Sequence, residues 1–179
     1  MKYVALLRGI NVGGNNKISM FELKACFEKL GFGDVKTYIN SGNIIFSTSK
    51  SDETRLVRSI ENCIKDKFNL DIPVVIRSNQ QIAEVVKAIP KEWVNNQAMR
   101  TDVLFLWTEV DGPEVLEEIK TNPEVDNLIY TAGAIIWNFD RQNYRQSKLH
   151  GFIGTHVYKL MTARNINTVR KLAGLMTGA

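Results

Sequence analysis

The sequence predicts an α+β protein of two βαββαβ units with antiparallel sheets, the second degenerate and ending in helices. Over the first 77 residues, short apolar runs typical of strands alternate with amphipathic helical patterns in that order. A weaker copy follows 91 positions later, where Ile129 to Trp137 matches Tyr38 to Phe46 in strand, turn and aromatic. The length of 179 residues fits one domain or two small ones.

The first unit, residues 1–77, begins with a strand from Tyr3 to Leu7. Ser19 and Glu22 then form a capping box, which predicts the start of a helix that ends at Gly31. A hairpin of Val35 to Ile39 with Ile44 to Phe46 follows. After it come a second helix, about Ser51 to Phe68, and a final strand from Ile72 to Ile76. This order is that of a ferredoxin-like unit.

The second unit, residues 78–179, repeats the pattern less clearly. A helix from Ser78 to Pro90 joins the units without a flexible linker, so we expect them to pack as one body. The later elements begin with a strand from Asp102 to Trp107 and a helix from Pro113 to Lys120. A hairpin of Leu128 to Tyr130 with Ile135 to Phe139 follows. Two tail helices are predicted at about Gly154 to Met161 and at Asn167 to Met176. No final strand is predicted for this unit.

Charge is unevenly distributed along the chain. Residues 78–140 carry four Lys/Arg and eleven Asp/Glu, whereas the last 39 residues carry seven Lys/Arg and no acidic residue. A surplus of this kind indicates an anionic partner, such as a nucleic acid or a phosphorylated metabolite. The alternative is that the basic tail pairs with the acidic middle of the chain inside the fold.

Two loops rich in asparagine and glycine, Arg8–Asn16 and Asn40–Asn43, each follow a predicted strand; we call them the rim. In a βαββαβ sheet both lie at one edge, side by side. Glycine permits positive φ and a close approach of the backbone, and asparagine offers both donors and acceptors. Here we expect a ligand-binding site with these candidate residues: Arg8, Asn11, Gly13, Gly14, Lys17, Asn40, Ser41, Gly42 and Asn43.

The tail contributes three further candidate ligand-binding residues, Arg164, Asn165 and Asn167. Asn167 or Thr168 is predicted as a helix N-cap, so these side chains would lie at a helix N-terminus, where backbone donors attract anions. The alternative is an ordinary capping turn.

Several catalytic motifs are incomplete. Gly9 and Gly14 have P-loop spacing, but the Lys-Ser/Thr pair that should follow at once is absent. Tyr144 with Lys148 lacks a dinucleotide-binding fingerprint, Ser147 lacks an oriented base, and His156 is a lone histidine. Cys26 and Cys63 fall in helical apolar patterns and are expected to be buried and reduced. We predict no metal site and no cofactor, and no catalytic residue can be named.

The chain resembles a bacterial family catalogued as domain of unknown function 1697. Three blocks carry the resemblance in the family's order: Leu7 to Gly14, Thr37 to Asn43, and a tail block of Arg164-Asn165 with Asn167-Thr168-Val169 and Lys171-Leu172. The family pattern favours an aromatic residue where this chain has Ile166. The resemblance implies an α+β protein with ferredoxin-like halves and implies no activity.

The first functional hypothesis is a binding module for an anionic ligand, either nucleic acid or a phosphorylated small molecule. The alternatives are an enzyme acting on a small phosphorylated or carboxylated metabolite, with Arg8 as an anion clamp, and a protein–protein adaptor. No apolar run approaches the 18 residues of a membrane-spanning helix, and the first apolar run is too short for a signal peptide. A cytoplasmic location is therefore expected.

Overall fold

The computed structural model describes residues 1–177, which form eight strands and six α-helices. The described chain divides into two compact units, one of residues 1–80 with residues 174–177, and the other Gln81–Ala173. The first part of the chain forms β1 (Lys2–Leu7), α1 (Met20–Lys29), β2 (Gly33–Tyr38), β3 (Asn43–Ser47), α2 (Glu53–Phe68), β4 (Val74–Ser78) and α3 (Asn79–Ala88). The remainder forms β5 (Met99–Leu106), β6 (Asn127–Thr131), β7 (Ala134–Asp140), α4 (Leu149–Phe152), α5 (His156–Lys159), β8 (Met161–Asn165) and α6 (Ile166–Thr177).

The first unit has the predicted element order and a four-stranded antiparallel sheet in the order β2-β3-β1-β4. The predicted cap at Ser19 is confirmed, because its hydroxyl accepts a hydrogen bond from the N–H of Glu22 at 3.4 Å. The apolar stripes of α1 and α2 pack with Tyr3, Ala5 and Leu7 of β1 in one hydrophobic core. Burial of these apolar surfaces stabilises the unit.

The second unit has a matching antiparallel sheet in the order β6-β7-β5-β8. The turns between the hairpin strands also match. Gly42 and Gly133 have φ values of 78° and 82°, and their carbonyls accept hydrogen bonds from Leu7 and Leu106 at 2.9 and 3.0 Å. The repeat seen in the sequence is therefore a structural repeat.

The prediction that no strand closes the second unit is wrong. Met161–Asn165 forms β8, which pairs antiparallel with β5 from Leu106↔Met161 to Asp102↔Asn165. The segment lacks a run of β-branched residues, so local propensity does not identify it as a strand. Its partner strand supplies the hydrogen bonds that define it.

Two of the predicted helices are much shorter than expected. The segment predicted as a helix from Pro113 to Lys120 forms only 3₁₀ turns at Pro113–Glu118, since so few residues are available between Gly112 and the next loop. The first tail helix shrinks to α5, because the chain then extends into β8. Among the helices of residues 1–177, none combines the length and the apolar character that crossing a membrane requires.

Candidate functional site

The two loops of the rim lie side by side, as the topology predicted. The amide nitrogen of the Asn11 side chain donates to the carbonyl of Asn40 at 2.9 Å. Gly42 permits this approach, since a Cβ there would lie 2.8 Å from Leu7 Cβ and 2.9 Å from Ile10 Cδ1. Fold topology and one small residue therefore bring the loops together.

Asn11 connects three segments of the backbone. Its side chain also donates to the carbonyl of Ile18 at 3.0 Å and accepts from the N–H of Ile18 at 2.9 Å. Asn11 has a φ of 54°, in the left-handed region that asparagine tolerates. All three of these bonds lie within the protein, so the side chain fixes the loop against the start of α1.

Two further rim asparagines also bond internally. Asn16 donates to the carbonyl of Gly9 at 3.0 Å. Asn43 is fully buried, and its amide donates to the Tyr38 carbonyl and to the Ser41 hydroxyl, each at 3.0 Å. These amides hold the shape of the loops.

Other polar groups of the rim face solvent. The side chains of Asn40 and of Lys17, which directly follows the first loop, are exposed and make no hydrogen bond or ion pair within the described chain. Gly13 and Gly14 are exposed as well, with φ values of 58° and 81°. Arg8 is half-buried, and its N–H donates to the carbonyl of Pro73 at 3.0 Å.

A shallow depression of about 470 Å³ lies at the rim, between the first loop and the start of α1. Its walls include Asn11, Gly14, Lys17, Ser19 and Asn40, and Lys17 is the one ionisable residue among its lining residues, all of which are described. The depression therefore offers a cation and polar groups, with no histidine or carboxylate to act as a base.

Three exposed apolar residues are sequence neighbours of residues that line the depression. Val12, Phe21 and Ile39 are 63%, 82% and 49% exposed. Phe21 is not among the candidates predicted from the sequence, although the helical period contained the signal. It falls opposite the buried stripe that begins at Leu23, so it had to point away from the core.

The three tail candidates lie in the second unit and take part in its own hydrogen bonding. Arg164 is buried on β8, where its guanidinium donates to the Thr162 hydroxyl at 3.0 Å and the Ala163 carbonyl at 2.8 Å. Burial disfavours the charged form and lowers the pKa of Arg164 to about 10. Asn167 donates to the carbonyl of Asn95 at 3.0 Å.

The predicted N-cap of the last helix is displaced. The side chain of Asn165 accepts from the N–H of Thr168 at 2.9 Å, and α6 begins directly after it at Ile166. Asn165, instead of Asn167 or Thr168, supplies the capping oxygen because β8 runs straight into α6. Ile166 is fully buried.

The basic tail does not pair with the acidic region through ion pairs of its exposed residues. Arg145, Lys148, Lys159 and Lys171 are all exposed, and none of them forms an ion pair within residues 1–177. These charges remain available to a partner.

Asp126 links the acidic region to the tail through hydrogen bonds. Its buried carboxylate accepts from Ser147 Oγ at 2.6 Å, from Trp137 Nε1 at 3.0 Å, and from the N–H groups of Asn122 and Lys148 at 2.9 and 3.0 Å. Burial raises the pKa of Asp126, but these four bonds outweigh burial and hold the pKa below its ordinary value. Ser147 is thus a structural donor.

Neither histidine is buried, and His150 lies beside the ring of Tyr144, with the two ring centroids 5.8 Å apart. The described part of the chain holds no cluster of three or more His, Cys, Asp or Glu residues able to hold a metal ion.

Comparison with known proteins gives a family and a fold. The family model described as protein of unknown function, DUF1697, matches residues 1–137. A conserved bacterial protein of Streptococcus pneumoniae, SP0830, has a similar structure, with a TM-score of 0.84, 29% identity and coverage of 98% of both chains. No curated protein matches the sequence.

Proposed function

Since the chain belongs to the DUF1697 family, whose description names no activity, we propose from its own surface that it binds an anionic ligand at the rim. The ligand is a nucleic acid or a phosphorylated small molecule. The proposal rests on the contrast between the two structural repeats, on the groups left open to solvent, and on the shape of the depression.

The contrast between the two hairpin turns is the observation that carries the proposal. Both units build the same glycine turn with the same backbone hydrogen bond. Where the first unit has Ser41 and Asn43, the second has Ala132 and Ala134. The turn geometry itself therefore does not require polar residues. In the first unit Asn43 bonds to Ser41 and to the Tyr38 carbonyl, and this added network supports a role in holding the loop that presents the exposed Asn40.

The open groups suit an anion. Lys17 supplies a positive charge at the edge of the depression, and Asn40 supplies an amide donor. The helix α1 begins at the wall of the same depression, and the positive end of its dipole favours negative charge there. Glu22 in the first turn opposes this, although it lies 3.9 Å from Lys67, which offsets part of its charge.

The shape and surroundings favour an extended ligand. The depression is open to solvent and has the exposed Phe21 next to its lining residue Met20. Aromatic side chains stack on unpaired bases, while lysine contacts phosphates. Single-stranded nucleic acid therefore fits the rim better than a small metabolite does.

The enzyme alternative lacks a base in the depression, and the exposed tail charges argue against an adaptor in which acidic and basic regions pair. The presence of only two cysteines in 179 residues, too few for the disulfide framework of a small secreted domain, supports a cytoplasmic location.

The test is fluorescence anisotropy of labelled single-stranded RNA and DNA, titrated with the whole protein at low and at physiological salt. We expect Phe21→Ala to weaken binding by about 1–3 kcal/mol through lost stacking. Lys17→Ala should reduce the salt slope by about 1. The matched control is Lys36→Ala, which removes the same charge from an exposed site on the edge strand β2.

The outcomes separate the readings. Equal effects of Lys17→Ala and Lys36→Ala would show that general charge, and not the rim, attracts the ligand. Absence of binding at low salt would refute the nucleic-acid reading, and titration with inorganic phosphate and mononucleotides would then test the small-molecule form. Failure of both would refute the proposal.

A further inference from the structure

The two cysteines meet across the seam between α1 and α2. Cys26 lies in the buried stripe of α1 beside Phe27, and Cys63 follows Ile60 by one turn on α2. Their sulfur atoms are 2.7 Å apart, only ~0.7 Å longer than a disulfide bond of about 2.05 Å.

The two thiols also have reciprocal neighbours. Cys26 Sγ lies 3.3 Å from the carbonyl of Cys63, and Cys63 Sγ lies 3.5 Å from the carbonyl of Cys26. The side chains therefore point at each other from facing helices. The two sulfur atoms need to approach by only about 0.7 Å to reach bonding distance.

One of the two thiols can be reached from outside. Cys26 is 2% exposed, whereas Cys63 is only partly buried. Both line a groove of about 660 Å³ between the helices, together with Lys29, Asn62 and Lys67. The groove is large enough to admit a small peptide-like reagent, and its two lysines favour one that carries carboxylates, although Asp66 also lines it.

We infer that Cys26 and Cys63 form a site of reversible thiol–disulfide exchange whose oxidant is a small anionic disulfide of the oxidised-glutathione class. The Cys63 thiolate attacks one sulfur of the small disulfide, which forms a mixed disulfide and releases one thiolate. Cys26 then attacks Cys63 Sγ, which forms the Cys26–Cys63 bond and releases the second thiolate. The two protein thiols lose two electrons and two protons, and the small disulfide takes up both to become two thiols.

The order of attack follows from the surroundings of the sulfurs. Burial, followed by the hydrogen bond and the charge of Cys63, raises the pKa of Cys26 to about 12, so Cys26 stays a thiol at first. Once Cys63 is part of a mixed disulfide it carries no charge. The contribution of that charge to the raised pKa of Cys26 then disappears. Burial still raises this pKa and Lys67 and Lys29 still lower it, so the second attack depends on the position of Cys26 Sγ beside Cys63 Sγ.

This inference is independent of the anionic site and has its own test. The whole protein is incubated at several ratios of oxidised to reduced glutathione, then alkylated and measured by intact mass under non-reducing conditions. We expect wild type to lose two hydrogens and both free thiols together, and reduced glutathione to reverse the change. Cys26→Ser should stop at the mixed disulfide and keep one glutathionyl group, because it cannot resolve it.

Cys63→Ser should leave Cys26 unmodified, since the buried thiol cannot be reached. Cys26→Ala serves as a second variant if the buried serine prevents folding, and circular dichroism checks both. Wild type that stays fully reduced, keeps a stable glutathionyl group, or forms only intermolecular dimers would overturn the inference.

Discussion

Gly42 offers a direct test of how the rim is built. It has a φ of 78°, and Gly14, in the other loop, has a φ of 81°. A Cβ at Gly42 would lie within 3.0 Å of atoms of Leu7 and Ile10, whereas one at Gly14 would have nothing within 4 Å. Alanine at the two positions therefore imposes the same backbone strain but different steric crowding.

The expected magnitudes follow from these two differences. A side chain in the left-handed region costs about 1–2 kcal/mol, and forcing atoms into a packed core costs about 1–3 kcal/mol more. We therefore expect Gly14→Ala to lower the free energy of unfolding by about 1–2 kcal/mol and Gly42→Ala by about 2–5 kcal/mol. Leu7 and Ile10 are both buried and cannot move aside cheaply.

The assay is urea unfolding followed by far-ultraviolet circular dichroism. Circular dichroism is preferred to tryptophan fluorescence because Trp93, Trp107 and Trp137 all lie in the second unit, whereas Gly42 lies in the first. If the two variants have the same unfolding free energy within about 0.5 kcal/mol, the close approach of the turn to β1 is refuted.

Four further predictions concern stability. Asp126→Ala should lower the free energy of unfolding by at least about 3 kcal/mol, because four donors lose their acceptor, whereas the exposed Asp140→Ala should change it by less than about 0.5 kcal/mol. Since the folded-state pKa of Asp126 is lowered, its contribution should be complete above the unfolded pKa of about 3.9 and lost as the pH falls further; equal acid sensitivity of wild type and Asp126→Ala would contradict this. Asn11→Asp should destabilise at least as much as Asn11→Ala in the same urea assay, because it replaces the amide that donates to the carbonyls of Ile18 and Asn40 with a carboxylate oxygen that repels them. The oxidised Cys26–Cys63 form should gain up to about 4 kcal/mol over the reduced form, and a loss of stability on oxidation would indicate a strained bond.

Much of the fold could be predicted because the relevant signals are local. The Ser19 hydroxyl caps α1 by accepting from the N–H of Glu22, only three residues away. Glycine at position 42 indicates the hairpin turn, because the turn requires a positive φ at that residue. The repeat shifted by 91 positions locates the second hairpin from residue types alone. The β8 strand from Met161 to Asn165 could not be predicted in this way, since its hydrogen bonds come from β5, more than 50 residues earlier.

The candidate site divides in the same manner. The position of the site could be predicted from the strand order. Which of its asparagines bond to the backbone and which face solvent could not. Asn11, Asn16 and Asn43 bond to the backbone, whereas Asn40 faces solvent, and nothing in the residue type distinguishes them.

By itself, the sequence determined the two repeats, the loops at one sheet edge and the excess of basic residues in the tail, because each depends on neighbouring residues or on simple composition. Only the tertiary structure decided which polar groups remain open and that Cys26 faces Cys63. Those properties depend on atoms brought together from distant positions, where an ångström separates a hydrogen bond from a free group. No periodicity along the chain encodes such distances.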